Sequence, residues 1–151
     1  MKSQYDIVVV GGGPGGSMAA KYAASAGVSV CLLEKTRDIG YPVRCGEAIG
    51  ENGLKQFVEP KDSWIAETIT ACTLVAPNET KVDIQFTHEM GYILNRRIFD
   101  YDLSREAVKS GAEVYTKSYV EGLIIKDETV IGVNLDYMGE KKQIPKLFDS
   151  T

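Results

Sequence analysis

The segment Tyr5-Asp6-Ile7-Val8-Val9-Val10-Gly11-Gly12-Gly13-Pro14-Gly15-Gly16-Ser17 decides the fold. Its first half, Tyr5 to Val10, is a short β-branched run that reads as a strand buried on both faces. Its second half, Gly11 to Gly16, is a glycine turn. Ser17 to Ala26 is rich in alanine, lacks helix breakers, and meets Gly27 where a helix C-terminus favours glycine. Val28 to Leu33 then reads as a second buried strand. A strand, a crossover helix and a strand within about thirty residues imply parallel pairing.

Gly11, Gly13 and Gly16 satisfy the pattern G-x-G-x-x-G, with Pro14 and Gly15 completing the turn. Each of the three spaced glycines has a mechanical reason. The first permits the tight exit from the strand, the second lets a diphosphate approach bare backbone, and the third lets the helix pack closely on the sheet. The helix N-terminus adds unpaired N–H groups and the positive end of its dipole. Alone the pattern is weak. Here it follows a strand, opens a helix, and is followed by Glu34 at the end of the second strand, where a carboxylate accepts hydrogen bonds from ribose hydroxyls. The three together predict a dinucleotide site. An acid at position 34 disfavours a 2′-phosphate, and hence NADP; spacing does not choose between FAD and NAD.

Farther along, Glu34 to Gly53 is polar and broken by Pro42, an ordered loop leading into a short helix near Glu51 to Phe57. Thr68 to Ala76 and Lys81 to Thr87 read as strands joined by the turn Pro77-Asn78-Glu79, and Tyr92 to Leu94 as another. Phe99, Leu103 and Ala107 form the apolar stripe of a helix over Arg96 to Ser110, ended by Gly111. Ala112 to Thr116, Tyr119 to Lys126 and Thr129 to Tyr137 are strands, the last two joined at Asp127-Glu128. No element is predicted from Gly139 to Thr151. The fold class is α/β: a Rossmann-like parallel sheet with a β-meander from Tyr119 and a small inserted β-region at about 68–94.

Composition narrows the classes. The 151 residues, 44% hydrophobic and 25% charged, suit a globular domain. A net charge of -4 with interspersed signs argues against nucleic-acid binding. No apolar run approaches the ~20 residues that span a bilayer. Cys31, Cys45 and Cys72 are odd in number and widely spaced, which disfavours a disulfide framework or structural zinc, and His88 is the only histidine. The expectation is a soluble, cytoplasmic protein without a metal.

Asp6 to Ala20 with Leu32-Leu33-Glu34-Lys35 resembles the N-terminal FAD motif of two-dinucleotide flavoproteins of the glutathione-reductase type. Ile39-Gly40-Tyr41-Pro42-Val43-Arg44-Cys45-Gly46-Glu47 resembles the P-V-R-C-G-E signature of geranylgeranyl reductases, especially archaeal enzymes acting on digeranylgeranylglycerophospholipids. Gly91 to Asp100 is similar to that family's strand and Arg-x-x-Phe-Asp helix start. The resemblance runs from Tyr5 to Tyr137. It implies an FAD-dependent oxidoreductase that reduces C=C bonds of geranylgeranyl chains in membrane lipids. By position, Gly16 and its neighbours Gly11, Gly13, Pro14 and Gly15 would hold the diphosphate, and Glu34 with Lys35 the adenosine ribose. Arg44, Cys45, Gly46 and Ala48 would line the flavin side of the loop; Arg96 and the Val120 backbone would contact the adenine half. Family members usually carry glycine where this chain has Ala48. The resemblance further implies an isoprenoid lipid substrate, contact with the membrane periphery in the full-length enzyme, and an electron donor that is reduced nicotinamide, deazaflavin or ferredoxin.

Family members run well over twice as long, with a later Gly-Asp flavin motif and a lipid-binding domain. The chain therefore reads as a truncated product or a piece of the enzyme, with unpaired sheet edges inviting self-association. Cys45 is the candidate catalytic residue, as proton donor or redox partner; simple packing beside the flavin is the alternative. Arg44 would steady negative charge on reduced flavin, Glu47 would cap the helix that follows it, with a role as an acid the alternative, Trp64 would fill a core edge, Cys31 the core, and His88 the surface. Competing readings are an FAD-dependent aromatic hydroxylase, a quinone-linked dehydrogenase, and a non-catalytic nucleotide-binding module or ligand-free fragment.

Overall fold

In the computed structural model of the protein, which describes residues 1–88 and 90–145, β-branched and glycine-rich stretches alternate as the sequence leads one to expect. The elements begin β1 (Ile7–Val10), α1 (Pro14–Ser25), β2 (Val30–Leu33), β3 (Ala48–Gly50), α2 (Glu51–Lys55), β4 (Ile65–Ile69) and β5 (Ala71–Val75). They continue β6 (Lys81–Gln85), β7 (Gly91–Leu94), α3 (Arg96–Lys109), β8 (Glu113–Tyr115), β9 (Ser118–Lys126), β10 (Thr129–Tyr137) and β11 (Glu140–Pro145). Two compact units result, one from Met1–Tyr41 and the chain from Asp100 onward, the other from Pro42–Phe99.

In the first unit β1, β2 and β8 form a parallel sheet in that order, with Ile7 opposite Val30 and Cys31 opposite Glu113. Alternate residues of β2 serve opposite faces. Val30 and Leu32 meet Ala20 and Ala24 of α1 with Ala107 and Ala112, small residues that let helices lie close to the sheet. Cys31 and Leu33 meet Tyr5, Val133, Leu135 and Ile144 beneath the meander. The meander is antiparallel in the order β11-β10-β9, and Asp127 and Glu128, both at positive φ (48° and 60°), make the two-residue turn between β9 and β10. Ile7 and Val10 are 40% and 55% exposed, so β1 is not buried on both faces; it lies at the edge of the described sheet, whereas every residue of central β2 is buried. The helix expected from Ser17 begins at Pro14, whose missing N–H costs nothing in a first turn.

At the other end of the chain, the polar stretch from Gly139 that promised no element supplies β11. It pairs along β10 from Tyr137↔Glu140 to Gly132↔Pro145 and buries only Ile144 and, in part, two neighbours. The rest of that stretch, 146–151, lies outside the described residues.

In the second unit β3, β7 and β4 make one antiparallel sheet, and β5 and β6 a separate hairpin. The single strand expected over Thr68 to Ala76 is thus two, parted at Thr70, because Ile69 pairs with Gly91 while Ala71 pairs with Gln85. Strand β3 lies inside the stretch read as loop; its three residues pair with Ile93, Tyr92 and Gly91. Trp64 is 2% exposed and meets Phe99 edge-on at 5.1 Å between ring centroids, the core position expected of it. His88 is exposed and Cys31 buried, both as expected. Among the described residues no helix is long and apolar enough to cross a membrane.

Candidate functional site

The turn between β1 and α1 has a geometry that only glycine allows at two points. Gly11 sits at φ +102°, a conformation L side chains avoid. A β-carbon on Gly16 would lie 1.9 Å from the Gly11 carbonyl oxygen, so the helix approaches the turn too closely for any side chain. Gly13 and Gly15 are different: a β-carbon there would meet nothing within 4 Å. These two positions border open space, the side from which a diphosphate would reach the backbone.

Helix α1 has Gly13 as its N-cap, with no side chain bonded to the helix end. Its first turn holds proline, which has no N–H, and then Gly15 and Gly16, whose N–H groups have no acceptor within the helix. Ser17 is the first to pair inward, donating its N–H to the Gly13 carbonyl at 2.9 Å, while its buried hydroxyl donates to the Gly12 carbonyl at 3.2 Å. What remains is bare backbone at the positive end of a helix dipole, an arrangement that suits an anion.

Glu34 closes one side of it. Its Oε2 accepts the Gly12 N–H at 2.7 Å, and its Oε1 accepts the Thr36 N–H at 2.8 Å and the Thr36 hydroxyl at 2.9 Å. Burial pushes its pKa up, but the Thr36 N–H, the Gly12 N–H and the Thr36 hydroxyl together outweigh burial and hold it below the ordinary carboxylate range. The group is therefore ionised at neutral pH, with acceptor capacity left beyond these three bonds. Gly12 and Thr36 are the two residues that sequence reasoning missed here. The only signal was the hydroxyl two positions beyond the acid, a spacing that favours local side-chain to backbone bonding.

Of the other residues expected at the site, Lys35 follows Glu34 and is exposed. Val120 belongs to β9, whose first residue, Ser118, donates its N–H to the Glu34 carbonyl at 2.9 Å; the Val120 side chain packs against the core. Arg44, Cys45, Gly46, Ala48 and Arg96 belong to the second unit. There Glu47 joins two of them. Its N–H points to the Cys45 sulfur at 3.4 Å, and its Oε1 accepts the Arg96 N–H at 3.2 Å. Glu47 thus caps α3, forty-nine positions on, and not the nearer helix α2. Glu47 itself has φ 62°, whereas Ala48 is an ordinary strand residue, so alanine fits there without strain.

The family model described as FAD binding domain matches residues 4–145. A digeranylgeranylglycerophospholipid reductase of Methanocella arvoryzae is 47% identical over 136 residues, covering 88% of this chain and 35% of that protein. The one of Methanosarcina acetivorans is 44% identical over 147 residues, covering 95% of this chain and 36% of that protein. A crystal structure of a geranylgeranyl bacteriochlorophyll reductase-like protein from Thermoplasma acidophilum superposes with a TM-score of 0.86 at 36% identity, over 95% of this chain and 38% of that one. The myxobacterial halogenase CndH shares the fold at a TM-score of 0.74 and 21% identity. The chain spans just over a third of the length of the curated relatives it matches. The resemblance drawn from the Pro42 to Glu47 block is borne out by these similarities, and the cofactor is FAD; the open, bare backbone at Gly13 and Gly15 fits a group of that kind. With its family model matched over nearly its whole length, the chain belongs to the FAD-binding domain family.

Proposed function

We propose that this chain is the nucleotide-holding front of a flavoprotein that saturates isolated C=C bonds in the geranylgeranyl chains of isoprenoid lipids. The observation that carries this reading is 47% identity to a digeranylgeranylglycerophospholipid reductase across 88% of the chain. The Pro42-Val43-Arg44-Cys45-Gly46-Glu47 block, absent from the general dinucleotide pattern, points the same way.

FAD, when bound, supplies hydride chemistry; the protein supplies position and electrostatics. In this reading the backbone at Gly11, Gly13, Pro14, Gly15 and Gly16 receives the diphosphate, and Glu34 accepts the adenosine ribose hydroxyls with Lys35 beside it. Arg96 and the Val120 backbone serve the adenine half. Arg44, Cys45, Gly46 and Ala48 serve the flavin end, where the fixed positive charge of Arg44 steadies negative charge on the reduced flavin. Cys45 is the proton donor in this assignment. An unactivated alkene has no carbonyl to polarise, so the reaction needs an acid close to the carbon that does not receive hydride. A lipid that resides in the bilayer requires peripheral contact of the whole enzyme with the membrane. Reduced nicotinamide, deazaflavin or ferredoxin is the electron donor.

The test is an exchange of segments. Residues 5–139 of this chain replace the matching segment of the Methanocella arvoryzae protein, and the hybrid is given digeranylgeranylglycerophospholipid with a chemical reductant. Mass spectrometry is expected to show gains of two mass units per bond reduced. A hybrid that holds FAD yet consumes oxygen without altering the lipid would favour a hydroxylase and end this reading.

A further inference from the structure

Glu34 does not choose its own direction: three donors choose it. We propose that Thr36 is a positioning residue for the adenosine ribose, its amide and hydroxyl holding one Glu34 oxygen while the Gly12 amide holds the other. The acceptor position left free is thereby presented to the sugar. This rests on the reading of Glu34 as the ribose acceptor.

An ionised carboxylate offers about four acceptor positions, and three are taken here. Holding a flexible glutamate in one rotamer costs entropy, and that cost falls on ligand binding unless the free protein has already met it. Thr36 meets it twice over. Its amide can serve in any residue, but its hydroxyl is specific to threonine or serine. The hydroxyl also lies 3.1 Å from the Asp38 carbonyl; its single proton favours the nearer, charged acceptor at 2.9 Å.

Thr36 can direct Glu34 because it is itself fixed. Its carbonyl accepts the Lys117 N–H at 3.0 Å, and Lys117 adopts φ 52°. Glu34 donates its own N–H to the Tyr115 carbonyl at 2.9 Å and accepts the Ser118 N–H at 2.9 Å. The end of β2 is thus tied to the segment joining β8 and β9 on both sides of the acid. Glu34 on this backbone, with Gly12 reaching in from the glycine turn, links the diphosphate cradle to the ribose position.

The experiment measures binding of ADP and of 2′-deoxy-ADP to the 151-residue chain by titration calorimetry at neutral pH. The wild type is expected to prefer ADP about tenfold, the worth of one hydrogen bond to a charged acceptor. Thr36→Val keeps shape and amide and removes only the hydroxyl; its preference is expected to fall to threefold or less, with 2′-deoxy-ADP bound nearly as before. Thr36→Ser should restore the preference, and thermal melting of all three should coincide within a few degrees. A Thr36→Val protein that keeps the full preference overturns the proposal and leaves the Glu34 reading standing. Equal loss of both nucleotides, unrescued by serine, also overturns it, since that is a merely structural role. A wild type with no preference, or a Glu34→Gln protein that keeps it, overturns the Glu34 reading and this proposal with it.

Discussion

Gly16 stands so close to Gly11 that a β-carbon on Gly16 would lie 1.9 Å from the Gly11 carbonyl oxygen. That approach seats the first turn of α1 against the exit of β1. Glycine at position 16 is therefore a requirement of the fold, whereas position 13, with open space in front of it, has no such requirement.

The pair yields opposite expectations. Gly16→Ala must push backbone apart, because the atom it meets is a carbonyl that cannot rotate away; a loss of about 1–3 kcal/mol is expected, with FAD binding abolished. Gly13→Ala sits at φ -71° with nothing to strike, so its melting temperature should match the wild type. Its FAD affinity should fall tenfold or more, about 1.4 kcal/mol. Thermal melts by circular dichroism and flavin fluorescence titration check both.

A second expectation concerns acid. Glu113 receives the Tyr5 hydroxyl at 2.7 Å and the Tyr115 hydroxyl at 2.5 Å on one oxygen, and the Lys2 ammonium lies 2.9 Å from the other. The Tyr115, Lys2 and Tyr5 contacts outweigh partial burial and hold its pKa down to about 2 against an ordinary 4.5. A carboxylate depressed in the folded state contributes stability that is fully present above 4.5 and lost as pH falls toward about 2. Glu113→Gln should cost about 1–2 kcal/mol at pH 7, the smaller end reflecting solvent screening at a partly exposed site. It should also flatten the stability profile between those two pH values, which urea unfolding at a series of pH values would register.

The third concerns the second unit alone. Trp64 is buried against Phe99 and lies under the Lys61 ammonium at 4.6 Å from its ring. Trp64→Ala is expected to cost roughly 3–5 kcal/mol by opening a cavity, and Trp64→Phe about half that. Tryptophan is unique in the chain, so wild-type fluorescence reports unfolding of this unit directly.

How much of this was legible in the sequence follows the range of each interaction. The glycine turn, Glu34 and the strands around them were readable because their causes are local: β-branched runs, glycines and a helix of alanines. The hairpin of β9 and β10 and the stripe Phe99, Leu103, Ala107 were readable for the same reason. Strand β3 was not, since three residues take their conformation from Gly91, Tyr92 and Ile93, far along the chain. The break at Thr70 depends on which partner each side finds, and β11 hides behind Lys141, Lys142 and Gln143, polar residues of an edge strand that has only Ile144 fully inside. Glu47 looked like the cap of the next helix and serves a distant one. At the site, the acid was visible but the Gly12 and Thr36 donors that aim it were not, because a donor's target is a matter of geometry.

The most direct test is amide chemical-shift mapping by NMR of the isotope-labelled chain during titration with FAD. The amides of Gly13, Gly15 and Gly16 and the carboxyl carbon of Glu34 should move together and saturate, and FMN, which lacks the adenosine half, should leave Glu34 unmoved. FAD that binds while those four signals stay in place, or a chain that takes up no FAD, would contradict the account.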